Sequence, residues 1–242
     1  MLLTHIKFIT VIFLLCILFS ISGKSQSLKT LYLFSGQGSD FRIFSQICFD
    51  SGYKIVNIRY PVPAKKTTLK QYAKLLKDQI DTNCHYSFVG VSLGGMICCE
   101  LMDEMHPKKV IIISSAKCRS ELPLRYRFQK NIPVYKLLPK GILKLGAKVL
   151  QPIVEPDRKK FKAIFKSMLA KKDKMFLKRS IGMIVNWDKK KHNEQILHIH
   201  GTKDHTLPIR KLKPTIVVEN GSHMMTLTRA EDIQMLVNEI LK

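Results

Sequence analysis

Acidic residues are scarce in this chain: 18 Asp and Glu face 41 Lys and Arg, a formal charge of +23 over 242 residues. A field of that sign attracts phosphate-rich partners such as nucleic acid, anionic lipid or acidic polysaccharide. Lysine greatly outnumbers arginine, and scattered lysines also serve simply to solvate a surface. There is a single Trp and no stacking motif for bases, which speaks against nucleic acid. Cysteine is limited to six residues with no C-x-x-C, so neither a disulfide framework nor a zinc site is written in the spacing. Setting aside Cys16, the odd set Cys48, Cys84, Cys98, Cys99 and Cys118 leaves room for one disulfide in an oxidising compartment, with Cys98 and Cys99 read as small buried fillers. Repeats and low-complexity linkers are lacking. With 45% apolar residues, the composition is that of an ordinary globular protein able to bury a sizeable core.

A targeting segment opens the chain. After His5 and Lys7, an apolar run extends from Phe8 to Phe19, followed by small residues at Ser20, Ser22, Gly23, Ser25 and Ser27. That order is the order of a secretory signal peptide. The run is short against the roughly 20 apolar residues of a spanning helix. Residues 1–25 are therefore read as a signal peptide or an N-terminal anchor, with the remainder, 26–242, exported or tethered to a membrane.

Beyond it, strand-like and helix-like segments alternate. Apolar and β-branched runs bounded by turn residues mark strands at Thr30–Phe34, Lys54–Arg59, Ser87–Val91, Val110–Ser114, Ile196–His200 and Thr215–Val218. Most are nearly continuous in apolar character, the pattern of strands covered on both faces of a parallel sheet. Helical periodicity falls at Thr68–Ile80, Leu93–Met105 and Thr228–Leu241. The alternation predicts an α/β fold with a mainly parallel sheet of about six strands. Residues 117–195 break the pattern. They carry 22 basic and 6 acidic residues, are punctuated by Pro123, Pro133, Pro139 and Pro152, and show helical spacing without a strand, as an inserted helical cap would.

The chemistry starts at Gly90-Val91-Ser92-Leu93-Gly94, where a strand runs into a helix through a serine flanked by glycines. A nucleophile at a sharp strand-to-helix turn sits in a strained conformation, and bulky neighbours two residues away would collide. Its oxygen also faces a helix N-terminus, whose free N–H groups favour developing negative charge.

In this respect the chain resembles the α/β-hydrolase superfamily, from Thr30 to Lys242 with the cap as an interruption. The resemblance implies a nucleophile, an acid and a histidine in that order, the last two each following a late strand. Gly201-Thr202-Lys203-Asp204 follows Ile196–His200, and Glu219-Asn220-Gly221-Ser222-His223 follows Thr215–Val218. The triad implied is Ser92, Asp204 and His223, with Asp188 as the alternative acid. The oxyanion hole implied is the backbone N–H groups of Gln37 and Leu93. Ser35 stands where the family often has a histidine, and there is no room before Thr30 for the family's first two strands.

The expected activity is that of a serine hydrolase cleaving a small-molecule ester, thioester or amide through an acyl-enzyme, with no cofactor and no metal. Acyl transfer by the same residues is one alternative. Another is a noncatalytic protein that binds an anionic membrane surface or polyanion through its cap, where Arg158-Lys159-Lys160 and Lys189-Lys190-Lys191 are basic runs. His198, His200 and His205 suggest a metal only weakly, because no carboxylate pattern completes the H-x-H. Leu137, Leu138, Ile142, Leu145, Ile164, Phe165, Met168, Phe176 and Ile184 form the cap's apolar positions. They either line an acyl pocket or form helix-on-helix core.

Overall fold

A computed structural model of the chain describes residues 29–137 and 161–242. The leader, the Arg158-Lys159-Lys160 run and the cap positions Leu138, Ile142 and Leu145 lie outside the described residues. Six strands form one sheet: β1 (Lys29–Phe34), β2 (Tyr53–Asn57), β3 (Tyr86–Val91), β4 (Val110–Ile113), β5 (Ile196–Gly201) and β6 (Ile216–Val218). They are ordered β2-β1-β3-β4-β5-β6, and every pairing is parallel. The helices are α1 (Leu69–Leu76), α2 (Leu93–Leu101), α3 (Leu124–Phe128), α4 (Val134–Leu137), α5 (Lys162–Lys171), α6 (Lys174–Val185), α7 (Met225–Thr228) and α8 (Ala230–Leu241). Among the described residues no helix is long and apolar enough to cross a membrane.

The continuous apolar runs are explained by two cores, one on each face of the sheet. Successive strand residues point to opposite faces. Thus Tyr32, Phe34, Phe88, Val110 and Ile112 pack with α1 and α2 in one core, and Leu31, Leu33, Val89, Val91, Ile111 and Ile113 pack with α5 and α8 in the other. Burial on both faces holds for the inner strands only. β2 and β6 are edges, with Ile55 38% and Val217 52% exposed, because an edge strand has a neighbour on one side and thinner helical cover.

Helix boundaries differ from expectation where caps and turns intervene. Thr68 caps α1 in a reciprocal box with Gln71, but the helix tightens into a 3-10 turn over Lys77–Gln79 before Ile80. α2 stops at Leu101, since Asp103 and Glu104 bond back three residues, to Glu100 and Leu101. The last expected helix begins at Ala230 rather than Thr228, which instead ends α7, because Arg229 between them has a φ of −131° and a ψ of 43° that are not helical.

The stretch between β4 and β5 is helical, holding α3 to α6. Four of its expected apolar positions are core: Phe165 and Met168 join the cluster on one sheet face, Phe176 and Ile184 the cluster on the other. Leu137 lines nothing described, being 84% exposed. Nor is Lys189-Lys190-Lys191 a uniform solvated face: the Lys189 ammonium is drawn down onto Asp103. All five cysteines among the described residues are free, with Cys98 and Cys99 fully buried in α2.

Candidate active site

Ser92 occupies the one-residue corner between β3 and α2, with φ 54° and ψ −118°. That left-handed backbone is costly for any residue with a Cβ, and surrounding bonds hold it in place. Ser92 N–H donates to Ile113 O (3.0 Å), and its carbonyl accepts from Met96 N–H (3.2 Å) and Ser115 Oγ (2.7 Å). The flanking glycines are required by contact. A Cβ on Gly90 would come within 2.6 Å of the Gly94 and Gly95 backbone, and one on Gly94 would fall on the Phe34 carbonyl. Gly95 belongs to the same device, since its Cβ would meet the Ser115 side chain at 2.5 Å.

The acid and histidine loops are brought together by a second pair of glycines, at Gly201 and Gly221. A Cβ on Gly201 would collide with the Gly221 carbonyl, so the two backbones can lie against each other only without side chains. Lys203 N–H then donates to Gly221 O (2.9 Å) and Thr202 N–H to Val218 O (3.1 Å). The result is a continuous relay. Ser92 Oγ lies 3.0 Å from His223 Nε2, and His223 Nδ1 lies 2.7 Å from Asp204 Oδ2. Because a carboxylate only accepts, the His223 proton sits on Nδ1 and leaves Nε2 to accept from the serine. Asp204 Oδ1 accepts from Leu207 N–H (2.7 Å). Asp188, the alternative acid, is exposed and takes no part.

No family model matches the chain, and no curated protein matches it in sequence. Solved structures do match in shape. A lipase-esterase related protein from Clostridium acetobutylicum superimposes with a TM-score of 0.66 at 13% identity, covering 89% of this chain and 95% of its own. MenH from S. aureus gives 0.62 at 13%, covering 90% and 95%, and the enol-lactonase from Burkholderia xenovorans 0.62 at 15%, covering 89% and 92%. The chain has the α/β-hydrolase fold. The site sits where this fold, as an open parallel sheet, places ligands: outside the carboxyl ends of the strands.

In this α/β-hydrolase frame, burial alone would raise the Asp204 carboxyl. The His223 imidazole beside it, helped by His200 and the Leu207 N–H, instead holds it below the ordinary 3.8. Asp204 is thus an anion at neutral pH although only 2% exposed, suited to orienting and stabilising a charged imidazole.

The turn after β1 abuts the nucleophile: a Cβ on Gly36 would stand 3.4 Å from Ser92 Cβ. Gly36 N–H is bound to Ser39 Oγ (2.9 Å), and the Ser35 carbonyl to the Tyr60 hydroxyl (2.9 Å). The Gln37 side chain reaches away to α6, donating to Ser180 Oγ (2.8 Å) and Leu177 O (3.2 Å). Among the described residues the backbone N–H groups of Gln37 and Leu93 meet no acceptor. One of these N–H groups opens α2 directly after Ser92, and the other belongs to the turn whose Gly36 abuts it. Ser35, buried in the place of a histidine, contributes its carbonyl to this scaffold rather than its side chain.

His198 and His200 share one face of β5, as their spacing requires, and their rings contact each other: His198 Nε2 lies 3.1 Å from His200 Nδ1. His205 is exposed on the following loop. Among the described residues no group of three or more His, Cys, Asp or Glu is arranged to hold a metal. Gly95, Ser115 and Ser180 escaped the sequence reading, and the contacts of Gly36, Gly201 and Gly221 were not foreseen although each lay in a loop that the reading singled out. Of the three that escaped, only Gly95, adjoining the elbow motif, stood beside a recognisable signal.

Proposed function

We propose that the protein is a serine hydrolase that cleaves a small-molecule ester through an acyl-enzyme. The observation that carries this reading is the unbroken relay from Ser92 Oγ to His223 Nε2 (3.0 Å) and from His223 Nδ1 to Asp204 Oδ2 (2.7 Å), built on a strained turn. Three chemically matched residues from three separate loops serve no purpose in a binding module. Neighbours in shape named as esterases and an enol-lactonase support the same direction.

In the mechanism, Ser92 Oγ attacks the acyl carbonyl carbon while His223 Nε2 takes its proton, and Asp204 holds the resulting imidazolium. The Leu93 and Gln37 N–H groups receive the oxyanion, and being fixed in advance they need no reorganisation as charge develops. Collapse of the tetrahedral species expels the leaving group, which takes the proton from His223. Water then enters by the same route reversed, freeing the acid and regenerating Ser92. No cofactor enters any step.

The test is hydrolysis of p-nitrophenyl esters of graded acyl length by the full chain, Asp204→Asn and His223→Ala. Asp204→Asn should lose about 10⁴-fold in kcat by fixing the wrong imidazole tautomer, with the fold unchanged by circular dichroism. Full turnover in both variants would overturn the assignment.

A further inference from the structure

Strand β5 is covered on both faces, and the residue type that suits such a place is Val or Ile. It holds instead two histidines, His198 and His200, both wholly buried. The hydrogen bonds fix their states. His200 Nε2 lies 2.8 Å from the Leu207 carbonyl, which can only accept, so His200 carries its proton on Nε2 and leaves Nδ1 bare. His198 Nε2, 3.1 Å from that nitrogen, must then be the donor. His198 Nδ1 is left as a buried acceptor without a hydrogen-bond partner among the described residues. Burying two imidazoles with one nitrogen unsatisfied works against stability, and such an exception in a core calls for a reason.

The reason lies at the other end of the pair. The His200 Nε2 that faces Leu207 O is also 3.4 Å from Asp204 Oδ2, the same oxygen that accepts from His223. Leu207 N–H meanwhile holds Oδ1. His200 therefore touches both parts of the loop that presents the acid, its carboxylate and the carbonyl of Leu207, and does so from a rigid strand. Without that bond the acid loop would keep Leu207 N–H on Oδ1 but lose the strand's hold on the Leu207 carbonyl beside the carboxylate.

Resting on the serine-hydrolase reading, we propose that His200, with His198 behind it, is a positioning residue that fixes the Asp204 carboxylate for His223. The groups facing the pair keep it neutral for this task. His200 meets Asp204 and His223 from the two loops and His198 along its own strand. His198 meets Lys117, itself beside Glu121, from the loop after β4, and His192 ahead of the strand. Burial first, then His200, Lys117 and His192, against which a charged ring would stand, push His198 well below 6.5. Burial lowers His200 too, against the opposing pull of Asp204.

The experiment measures the rate at which a fluorophosphonate modifies Ser92 in the full chain from pH 5 to 9, for wild type, His200→Leu and His200→Gln. In His200→Leu the plateau rate should fall about tenfold or more, the usual penalty for a loosely held catalytic group. The acid limb should also move up by about half a pH unit, because a carboxylate relieved of the imidazole edge beside it favours the charged form of His223 more strongly. Glutamine places an amide N–H near the Nε2 position and should restore most of the rate and the original limb. A purely structural histidine would lower the melting temperature without moving the limb. If the leucine chain does not fold, His200→Asn against His200→Gln carries the same test, since asparagine is too short to reach the loop. A folded variant without the N–H that keeps both plateau and limb, or a loss that glutamine does not repair, overturns the positioning role. A wild-type chain whose Ser92 is inert overturns the serine-hydrolase reading itself.

Discussion

The nucleophile corner and the helical stretch between β4 and β5 are built by different means. At the corner the backbone does the work: Gly90, Gly94 and Gly95 let chain segments touch, and Ser92 is forced to φ 54° between them. The stretch between β4 and β5 is pinned by side chains. Gln37 reaches Ser180, Arg42 reaches Ser167 (2.6 Å), Arg119 ties the Val185 and Trp187 carbonyls (2.8 and 2.7 Å), and Trp187 Nε1 donates to Glu100 (2.6 Å). A backbone device tolerates almost no substitution and leaves a mark in sequence. Side-chain pins are exchangeable one at a time and leave no such mark.

Substitutions should separate the two regions by size of effect. Gly94→Ala strikes backbone against backbone, with no flexible side chain to yield, and should cost about 4 kcal/mol or more or abolish folding, read from urea denaturation. Trp187→Phe removes the donor from the buried Glu100 carboxyl and should cost about 2 kcal/mol in the same assay while leaving the elbow's chemistry intact. Equal losses in the two would erase the distinction.

Sheet polarity supplies a third comparison, through His198 and His200. Both have folded pKa values pushed below the ordinary 6.5, burial being the first cause. As pH falls below 6.5 the unfolded chain binds protons that the folded chain refuses. Their contribution is therefore complete above pH 6.5 and is lost as pH falls from there through the folded values. Denaturation midpoints should show stability lower by about 1 kcal/mol or more at pH 5.5 than at pH 7, and His198→Leu should flatten the dependence. The smallest effect belongs to a single pin of the helical stretch: Ser180→Ala should cost about 1 kcal/mol in thermal denaturation, because Gln37 keeps its second acceptor, Leu177 O.

The same contrast explains what could be read from the sequence. Six strands and the serine at its corner were legible because continuous apolar runs and a glycine-flanked serine are consequences of burial and backbone contact, whereas Asp204 and His223 were implied only by the resemblance to the α/β-hydrolases. The exposed faces of β2 and β6 were not, since an edge strand is defined by a neighbour it does not have. Leu137 has the apolar character of a core position, yet its exposure depends on the fold of the whole stretch. Gly201 against Gly221 and the fork of His200 between Leu207 and Asp204 arise from segments that meet only in three dimensions.

The central claim is that Ser92 is an activated nucleophile. It is tested most directly by treating the purified full chain, Ser92→Ala and His223→Ala with a fluorophosphonate and mapping the adduct by mass spectrometry. A single adduct on Ser92 is expected in the wild-type chain and none in either variant. An unmodified Ser92, or modification that persists when His223 is removed, would contradict it.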